Sequence, residues 1–201
     1  MKKINKKFKA IETLFENEHL NFYHMDALAD SGNVFDYYFA SRNKEDAIKP
    51  VTGEHKAEGV VIYAVIKGNP DKIVLIRQYR YPVGDYLYEL PAGLIDEGET
   101  SEQAAIREMK EETGFTFIPM TDVFEGYKRP VYMCQGISDE ACQSVFGFVS
   151  GEQNNQELED SETIQVITVD REEARRILAE EKVSLRCAYL LMLFINNIDL
   201  H

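Results

Sequence analysis

Three glutamates within five positions, Glu108, Glu111 and Glu112, are the residues whose spacing points most clearly to chemistry. On a helix, residues three and four apart are neighbours, so these carboxylates would crowd one face and repel each other. Near a helix C-terminus they would also oppose the partial negative charge of the macrodipole. An acidic helix face is usually only solvated, but these two costs favour a bound cation. Mg²⁺ fits, because it binds one or two carboxylates together with substrate phosphates.

The surrounding residues predict the helix that carries these glutamates. Thr100 and Gln103 have the spacing of a capping box, which satisfies backbone donors at a helix start, and Gly114 is a typical C-terminal stop. The helix is therefore predicted to run from about Ser101 to Thr113. Arg107 lies one turn before the second glutamate and can hold part of the acidic cluster in place. Three residues at nearby angles can pack the helix onto a sheet: Ala104, Ala105 and Met109.

The composition limits the possible partners. The chain has 201 residues and a formal net charge of -13, whereas nucleic-acid binding draws mainly on basic surface, so no polynucleotide partner is expected. A small anionic ligand would need bound divalent cations or a few arginines to overcome the repulsion. No apolar run approaches the roughly 20 residues of a membrane span. The three cysteines have irregular spacing and are expected to be reduced, so we expect a cytoplasmic protein without a membrane partner.

The beginning of the chain is predicted to be rich in β-structure. The runs "HLNFYHMDAL" and "NVFDYYFASR" flank the turn-prone "ADSGN" and predict a β-hairpin. The polar segment 43–59 that follows is predicted to be a linker. We therefore expect an N-terminal β-rich region, residues 1–52, and a second domain, residues 53–201.

The second domain alternates predicted strands and helices. The strands are "GVVIYAVI", "DKIVLIRQYRYP", "QSVFGFVS" and "TIQVITVD". Two further helices are predicted: "REEARRILAEEK", which is amphipathic, and "LRCAYLLMLFINNI", which is expected to be largely buried. Strands mixed with a few helices indicate an α/β or α+β sandwich.

The acidic helix and the loop before it carry a family resemblance. Gly93, Glu99 and the run "REMKEETGF" resemble the Nudix box, Gly-x5-Glu-x7-Arg-Glu-U-x-Glu-Glu-x-Gly-U, where U is a bulky apolar residue. Every fixed position is met. The resemblance implies a Nudix-type α/β/α sandwich with a mixed sheet, and Mg²⁺-dependent hydrolysis of a nucleoside diphosphate linked to another moiety.

The resemblance also implies roles for the residues of the box. Glu108 and Glu112 would be the main metal ligands, with Glu111 close by. Glu99 and Arg107 would orient these ligands. Two or three Mg²⁺ ions are implied, and Mn²⁺ can replace them.

The segment "IRQYRYPVGDYLYELPAGLIDEGE" is similar to the one that leads into the box in ADP-ribose pyrophosphatases. By this resemblance the Ala92 carbonyl is a metal ligand and Arg80 reaches the substrate phosphates. Glu89 has two readings, a substrate or metal-shell residue and a carboxylate that pairs with an arginine.

Residues outside the box would complete the site. Tyr37 and Arg42 match an aromatic residue and an arginine that sandwich the adenine in these enzymes, often across a dimer interface, so a homodimer formed through the N-terminal region is expected; an aromatic core residue is the alternative for Tyr37. Glu162 matches the loop acid that activates or positions the water, and Glu159 and Asp160 are neighbours that could substitute.

The expected activity is hydrolysis of ADP-ribose to AMP and ribose 5-phosphate. One departure concerns the substrate: these enzymes usually carry a Pro-Gly pair after the box, whereas Gln135 precedes Gly136 here. GDP-mannose or another sugar nucleotide is therefore the second expectation. A non-catalytic Nudix-like regulator typically loses box glutamates, and an isopentenyl diphosphate isomerase of this fold would need clustered histidines, so both classes are disfavoured.

Overall fold

The computed structural model describes residues 6–153 and 164–200. The strands are β1 (Phe8–Phe15), β2 (Asn21–Leu28), β3 (Val34–Ser41), β4 (Gly59–Ile66), β5 (Asn69–Arg80), β6 (Asp85–Glu89), β7 (Ala92–Leu94), β8 (Thr116–Pro119), β9 (Val131–Tyr132), β10 (Ala141–Ser150) and β11 (Ile164–Asp170). The helices are α1 (Lys49–Thr52), α2 (Ser101–Thr113), α3 (Arg171–Glu180) and α4 (Leu185–Ile195), and a 3₁₀ turn covers Glu125–Lys128.

The chain divides into two compact units. The N-terminal unit consists of Met1–Glu58 and Pro130–Cys142, and the second unit consists of Gly59–Arg129 and Gln143–His201. The sequence predicts a single division after residue 52, whereas the N-terminal unit also contains the later segment Pro130–Cys142. Whether a later segment packs on the N-terminal unit depends on long-range contacts, and no local sequence pattern predicts such contacts.

An antiparallel three-stranded sheet in the order β1-β2-β3 forms most of the N-terminal unit. The predicted hairpin is present, since β2 and β3 pair from Asn21 opposite Ser41 to Leu28 opposite Val34. Strand β1 was not predicted. Its sequence, FKAIETLF, mixes apolar and charged residues and none of them is fully buried, so its pattern is weak.

The polar segment 43–59 is not the linker that its composition predicts. It contains the short helix α1, which has Pro50 in its first turn, where the missing amide proton costs nothing. Ile48, just before the helix, is fully buried in the core of the N-terminal unit. Lys49 is also buried, and its ammonium donates to both oxygens of Glu58 at 2.6 and 2.5 Å. A buried ion pair therefore accounts for part of the polarity that suggested a linker.

A mixed sheet in the order β11-β5-β4-β10-β8 provides the frame of the second unit, with β6 paired to β5 and β7 paired to β4. Strand β9 pairs with the first two residues of β10, which belong to the N-terminal unit. Hydrogen bonds from Glu58 N to Ala141 O and from Lys67 N to Val149 O show that β4 and β10 run parallel. Strand β5 is antiparallel to β4, β6 and β11. The predicted α/β fold with a mixed sheet is confirmed.

The main core of the second unit lies between this sheet and α2. All residues of β4 except the last are buried, as expected for a strand that is covered on both faces. Burying a large apolar side chain contributes about 1.5–3 kcal/mol, so this cluster fixes α2 against the sheet. Its members are Val60, Ile62, Ala64, Val74, Ile76, Ala104, Ala105, Met109, Phe115, Phe117, Val145, Val149, Ile164 and Val166.

Helices α3 and α4 cover the opposite face, which completes the predicted α/β/α sandwich. Successive residues of a strand point to opposite faces, so Tyr63 lies away from α2. Arg171, at the start of α3, is close enough to act electrostatically on the Tyr63 hydroxyl, while burial raises the pKa of Tyr63 to about 12. The two helices contact each other, and they contact β11 and β6 respectively.

Helix α4 buries one stripe of side chains, so the prediction that it is largely buried was wrong. Cys187, Leu191 and Phe194 are buried at helical spacing, whereas Tyr189 and Met192 are exposed. The apolar composition of α4 suggested more burial than the structure shows, because the position of a residue around the helix decides whether its side chain lies on the buried or the exposed face. Among the described residues, no helix has both the length and the apolar character needed to cross a membrane.

Met109→Ala should lower the free energy of unfolding by about 2–5 kcal/mol, because this side chain is fully buried between α2 and the sheet. Chemical denaturation of wild type and variant measures the difference. Ile106→Ala, on the exposed side of the same helix, is the control and should cost less than about 1 kcal/mol. An equal loss in both variants would contradict this packing.

Candidate active site

Helix α2 begins and ends where the sequence predicts. The Thr100 side chain accepts a hydrogen bond from Gln103 N, and Gln103 Oε1 accepts one from Thr100 N at 2.8 Å, which completes the capping box. At the other end, Gly114 adopts a left-handed conformation with φ of 76°, which glycine reaches without a steric penalty. These two ends fix the length of the helix and hence the position of its acidic face.

Arg107 is the centre of the charged network. Its Nε and Nη2 donate to the two oxygens of Glu99 at 3.1 and 2.9 Å. Its Nη1 donates to Glu108 at 2.7 Å and to Glu111 at 3.2 Å, and Nη2 also donates to the Leu94 carbonyl at 2.9 Å. The predicted contact between Arg107 and Glu111 is confirmed. One guanidinium thus positions three carboxylates and a backbone carbonyl.

The pairing shifts the proton affinities of these groups. The hydrogen bond from Arg107 lowers the pKa of Glu99, and the hydrogen bonds to Glu99 and Glu108 raise the pKa of Arg107. Both groups therefore stay charged at neutral pH. The single guanidinium of Arg107 faces four carboxylates, those of Asp96, Glu99, Glu108 and Glu111, and Glu112 adds another on α2. This excess of negative charge is what a divalent cation would balance.

The backbone of β7 lies against the remaining carboxylate oxygens. Ala92 N donates to Glu112 Oε2 at 3.1 Å, and Glu112 is only 3% exposed. Gly93 packs so closely against Glu108 that a Cβ atom there would overlap the carboxylate. Glutamate oxygens beside a strand backbone are hard donors of the kind that Mg²⁺ prefers. These residues therefore fit the predicted metal.

Arg80 and Glu89 form a close ion pair in the second unit. Arg80 Nε and Nη2 donate to the two oxygens of Glu89 at 2.5 and 3.1 Å, and the Glu89 side chain is 5% exposed. Of the two readings of Glu89, the structure shows the pairing with an arginine. Sequence reasoning missed Arg186, whose Nη2 lies 4.0 Å from Glu89 Oε2. No local signal could have found it, since it is almost one hundred positions away.

The two residues predicted to bind adenine both lie in the N-terminal unit. The Tyr37 hydroxyl donates to the Gly136 carbonyl at 2.7 Å, and Arg42 Nε donates to Glu140 Oε1 at 2.6 Å. Tyr37 is partly exposed and is therefore not the core residue that was its alternative. It lines a cavity of about 340 Å³ together with Met25, Phe39, Lys49, Pro50, Tyr132, Gln135, Ser138 and Asp139.

The predicted catalytic acid Glu162 lies outside the described residues, as do its alternatives Glu159 and Asp160. Its role therefore stays a prediction. Among the described residues of the second unit, the predicted site residues form two charged groups: the network around Arg107 on α2, and the pair of Arg80 with Glu89.

An α/β/α sandwich with box glutamates gathered beside a short strand defines a Nudix-type protein. The NUDIX domain model matches residues 55–187, which is more than half of the chain, and the chain belongs to this family.

Known relatives agree with this assignment. The chain is 43% identical over 129 residues to "Putative nudix hydrolase 2" of Caenorhabditis elegans, covering 61% of this chain and 55% of that protein. It is 27% identical over 187 residues to the ADP-ribose pyrophosphatase of Bacillus subtilis, covering 91% and 88%. The fold is similar to the crystal structure of an ADP compounds hydrolase, with a TM-score of 0.69 and 19% identity over 94% of each chain. The chain thus matches just over half the length of the Caenorhabditis relative and most of the length of the Bacillus one.

Gly93→Ala should weaken binding of a divalent cation by roughly 10–100-fold, because the added methyl group would displace the Glu108 carboxylate. Calorimetric titration with Mn²⁺ measures the affinity. Gly136→Ala is the matched control, since a Cβ there meets open space. Unchanged Mn²⁺ affinity in Gly93→Ala, with the fold retained, would show that Glu108 is not a ligand.

Proposed function

We propose that this protein hydrolyses the pyrophosphate bond of a nucleoside diphosphate sugar in a Mg²⁺-dependent reaction, with ADP-ribose as the preferred substrate and AMP and ribose 5-phosphate as the products. The observation that carries the proposal is the network around Arg107, in which one guanidinium and the backbone of β7 gather the box glutamates. Membership in the NUDIX family and the name of the Bacillus subtilis relative support the reaction class and the substrate.

The metal would be held by residues of α2 and β7. Glu108 and Glu112 are the proposed main ligands, with Glu111 and the Ala92 carbonyl as further ones, and two or three Mg²⁺ ions are proposed, for which Mn²⁺ can substitute. When bound, these ions neutralise the charge that develops on the diphosphate as water attacks phosphorus. They also allow an acidic chain to bind an anionic substrate.

The protein's own groups prepare this site before the substrate arrives. Arg107 holds Glu108 and Glu111 from one side and is itself held by both oxygens of Glu99. The Ala92 amide holds Glu112 from the other side. Because these carboxylates are already oriented, little reorganisation is needed at the moment of reaction.

Other residues would bind the substrate and activate water. Arg80 is proposed to contact the phosphates, Tyr37 and Arg42 to stack on the adenine, and Glu162 to position or deprotonate the attacking water. Stacking of a base between a π-face and a guanidinium is favourable for any nucleobase. For this reason GDP-mannose or another sugar nucleotide remains the second candidate, favoured by Gln135 in place of the expected proline.

The proposed reaction is tested by incubating the protein with ADP-ribose, GDP-mannose and other nucleoside diphosphate sugars in Mg²⁺. Formation of the nucleoside monophosphate together with the sugar phosphate is expected, and it should be fastest for ADP-ribose. Hydrolysis of none of these compounds would refute the proposal. A preference for GDP-mannose would change the substrate and leave the reaction class intact.

Glu112→Gln should reduce turnover by about 100-fold or more while the fold is retained, because it removes a ligand charge without changing the shape of the side chain. Steady-state kinetics with ADP-ribose and circular dichroism measure the two effects. The matched control is Glu102→Gln, an exposed residue in the first turn of the same helix, which should turn over at the wild-type rate. Wild-type turnover in Glu112→Gln would contradict the metal assignment.

A homodimer formed through the N-terminal unit, in the cytoplasm, completes the proposal. One face of the β1-β2-β3 sheet carries the exposed apolar side chains Phe22, Val34 and Tyr38 together with the polar group His24, Asp26 and Asp36, and Phe22 stacks on Tyr38 with ring centroids 6.3 Å apart. Such a patch is typical of an interaction surface. The three cysteines are unpaired, which agrees with a reducing compartment.

Tyr38→Glu should convert the proposed dimer to a monomer, because it removes the ring that stacks on Phe22 and adds a third carboxylate to a face that already carries Asp26 and Asp36. Sedimentation velocity at working concentration measures the change. Val131→Glu, an exposed apolar position of the same unit in β9, should leave the dimer intact. A wild type that sediments as a monomer would remove the dimer from the proposal.

A further inference from the structure

We propose that His24, Asp26 and Asp36 form a binding site for a divalent transition metal ion, with Zn²⁺ as the best match. The three residues lie on strands β2 and β3, wholly within the N-terminal unit. They share no residue with the box glutamates, which belong to the second unit. The proposal therefore goes beyond the proposed hydrolysis and does not depend on it.

The register of the hairpin places these side chains together. Asp26 on β2 pairs directly opposite Asp36 on β3, and His24 lies two positions before Asp26 on the same strand. Directly opposite residues share one face of a sheet, as do residues two positions apart. Tyr23 and Phe39 are buried on the other face, so a slip of one residue would expose this core. The packing of one face thus fixes the three polar residues on the other.

The imidazole of His24 is already oriented towards the carboxylates. Its Nε2 lies 2.8 Å from Asp36 Oδ1, and its ring lies against the Tyr38 ring with centroids 5.1 Å apart. The His24 side chain is 20% exposed, whereas the Asp36 side chain is 73% exposed. An ion from solvent therefore reaches the carboxylate and meets an imidazole that needs little further ordering.

The separations of the ligand atoms suit a single ion. One ring nitrogen of His24 and one oxygen of each aspartate all lie within 4.8 Å of one another. Zn–N and Zn–O bonds are about 2.0–2.2 Å long, so ligand atoms around a tetrahedral Zn²⁺ lie about 3.4 Å apart. Side-chain rotations that move each atom by about 1 Å or less bring the three atoms to that spacing. Water can fill the fourth position.

The mixed ligand set selects the type of metal. Mg²⁺ and Ca²⁺ prefer oxygen ligands alone, whereas an imidazole nitrogen with two carboxylates suits Zn²⁺ and neighbouring transition metals. The position of the aspartates favours a cation as well, because like charges directly opposite each other destabilise a strand pair. An ion bound between Asp26 and Asp36 removes this repulsion and joins β2 to β3.

Calorimetric titration with Zn²⁺ tests the site in the full-length Glu108→Gln/Glu112→Gln variant, which lacks the two main ligands proposed for the box. This parent protein should bind one Zn²⁺ per chain, and Zn²⁺ should raise its melting temperature, because the ion binds the folded state. Adding His24→Gln should weaken Zn²⁺ binding by at least about 10-fold, since it removes the nitrogen ligand.

Asp36→Asn in the same parent separates a metal ligand from a structural residue. It keeps an oxygen that can contact His24 and removes one of the two opposed charges, so the melting temperature without metal should not fall. The increase caused by Zn²⁺ should be lost. A lower melting temperature without metal, combined with an unchanged response to Zn²⁺, would give Asp36 a structural role only and overturn the proposal.

His19→Gln is the matched control. His19 is an exposed histidine of the same unit that also lies beside a carboxylate, with Nε2 3.2 Å from Glu18 Oε1, but it is not part of the cluster. This variant should keep the Zn²⁺ affinity of its parent. A parent that binds no Zn²⁺, or equal affinities in His24→Gln and His19→Gln with the fold retained, would refute the site.

Discussion

The structure of this site depends on how one guanidinium accommodates a crowd of carboxylates. Arg107 contacts Glu99, Glu108 and Glu111 at once, and without it Glu108 and Glu111 would repel each other across a single helical turn. Because one guanidinium contacts several carboxylates, it orients them without neutralising their combined negative charge. The remaining negative charge is available to a metal ion. The contacts of Arg107 thus reduce the repulsion between the carboxylates and still leave an acidic surface that suits a cation.

The rest of the second unit serves to keep that contact in place. The capping box starts α2 at Ser101, Gly114 ends it, and the fully buried Met109 anchors it on the sheet. Strand β7 then supplies a backbone amide to Glu112 and, through Gly93, a surface without a side chain where Glu108 can lie. Partly buried ion pairs of this kind add little net stability, and here their effect is to define positions.

The sequence predicted the parts of the site that are local in the chain. The bounds of α2, its capping box and the contact between Arg107 and Glu111 all follow from spacings within about a dozen residues. Contacts that join distant segments were missed, because no local pattern encodes them. Arg186 lies 4.0 Å from Glu89 although the two are almost one hundred positions apart, and Ile48 is buried within a segment whose polarity suggested a linker.

The three cysteines differ in how accessible their thiols are to reagents. Burial and the nearby charge of Glu89 raise the pKa of Cys187 to about 12, and Cys142 is also buried, so neither offers an accessible thiolate. Cys134 is exposed and lies in the N-terminal unit. An alkylating dye would therefore label the molecule at Cys134 alone, outside the unit that contains the acidic network, which gives a spectroscopic probe that leaves that network untouched.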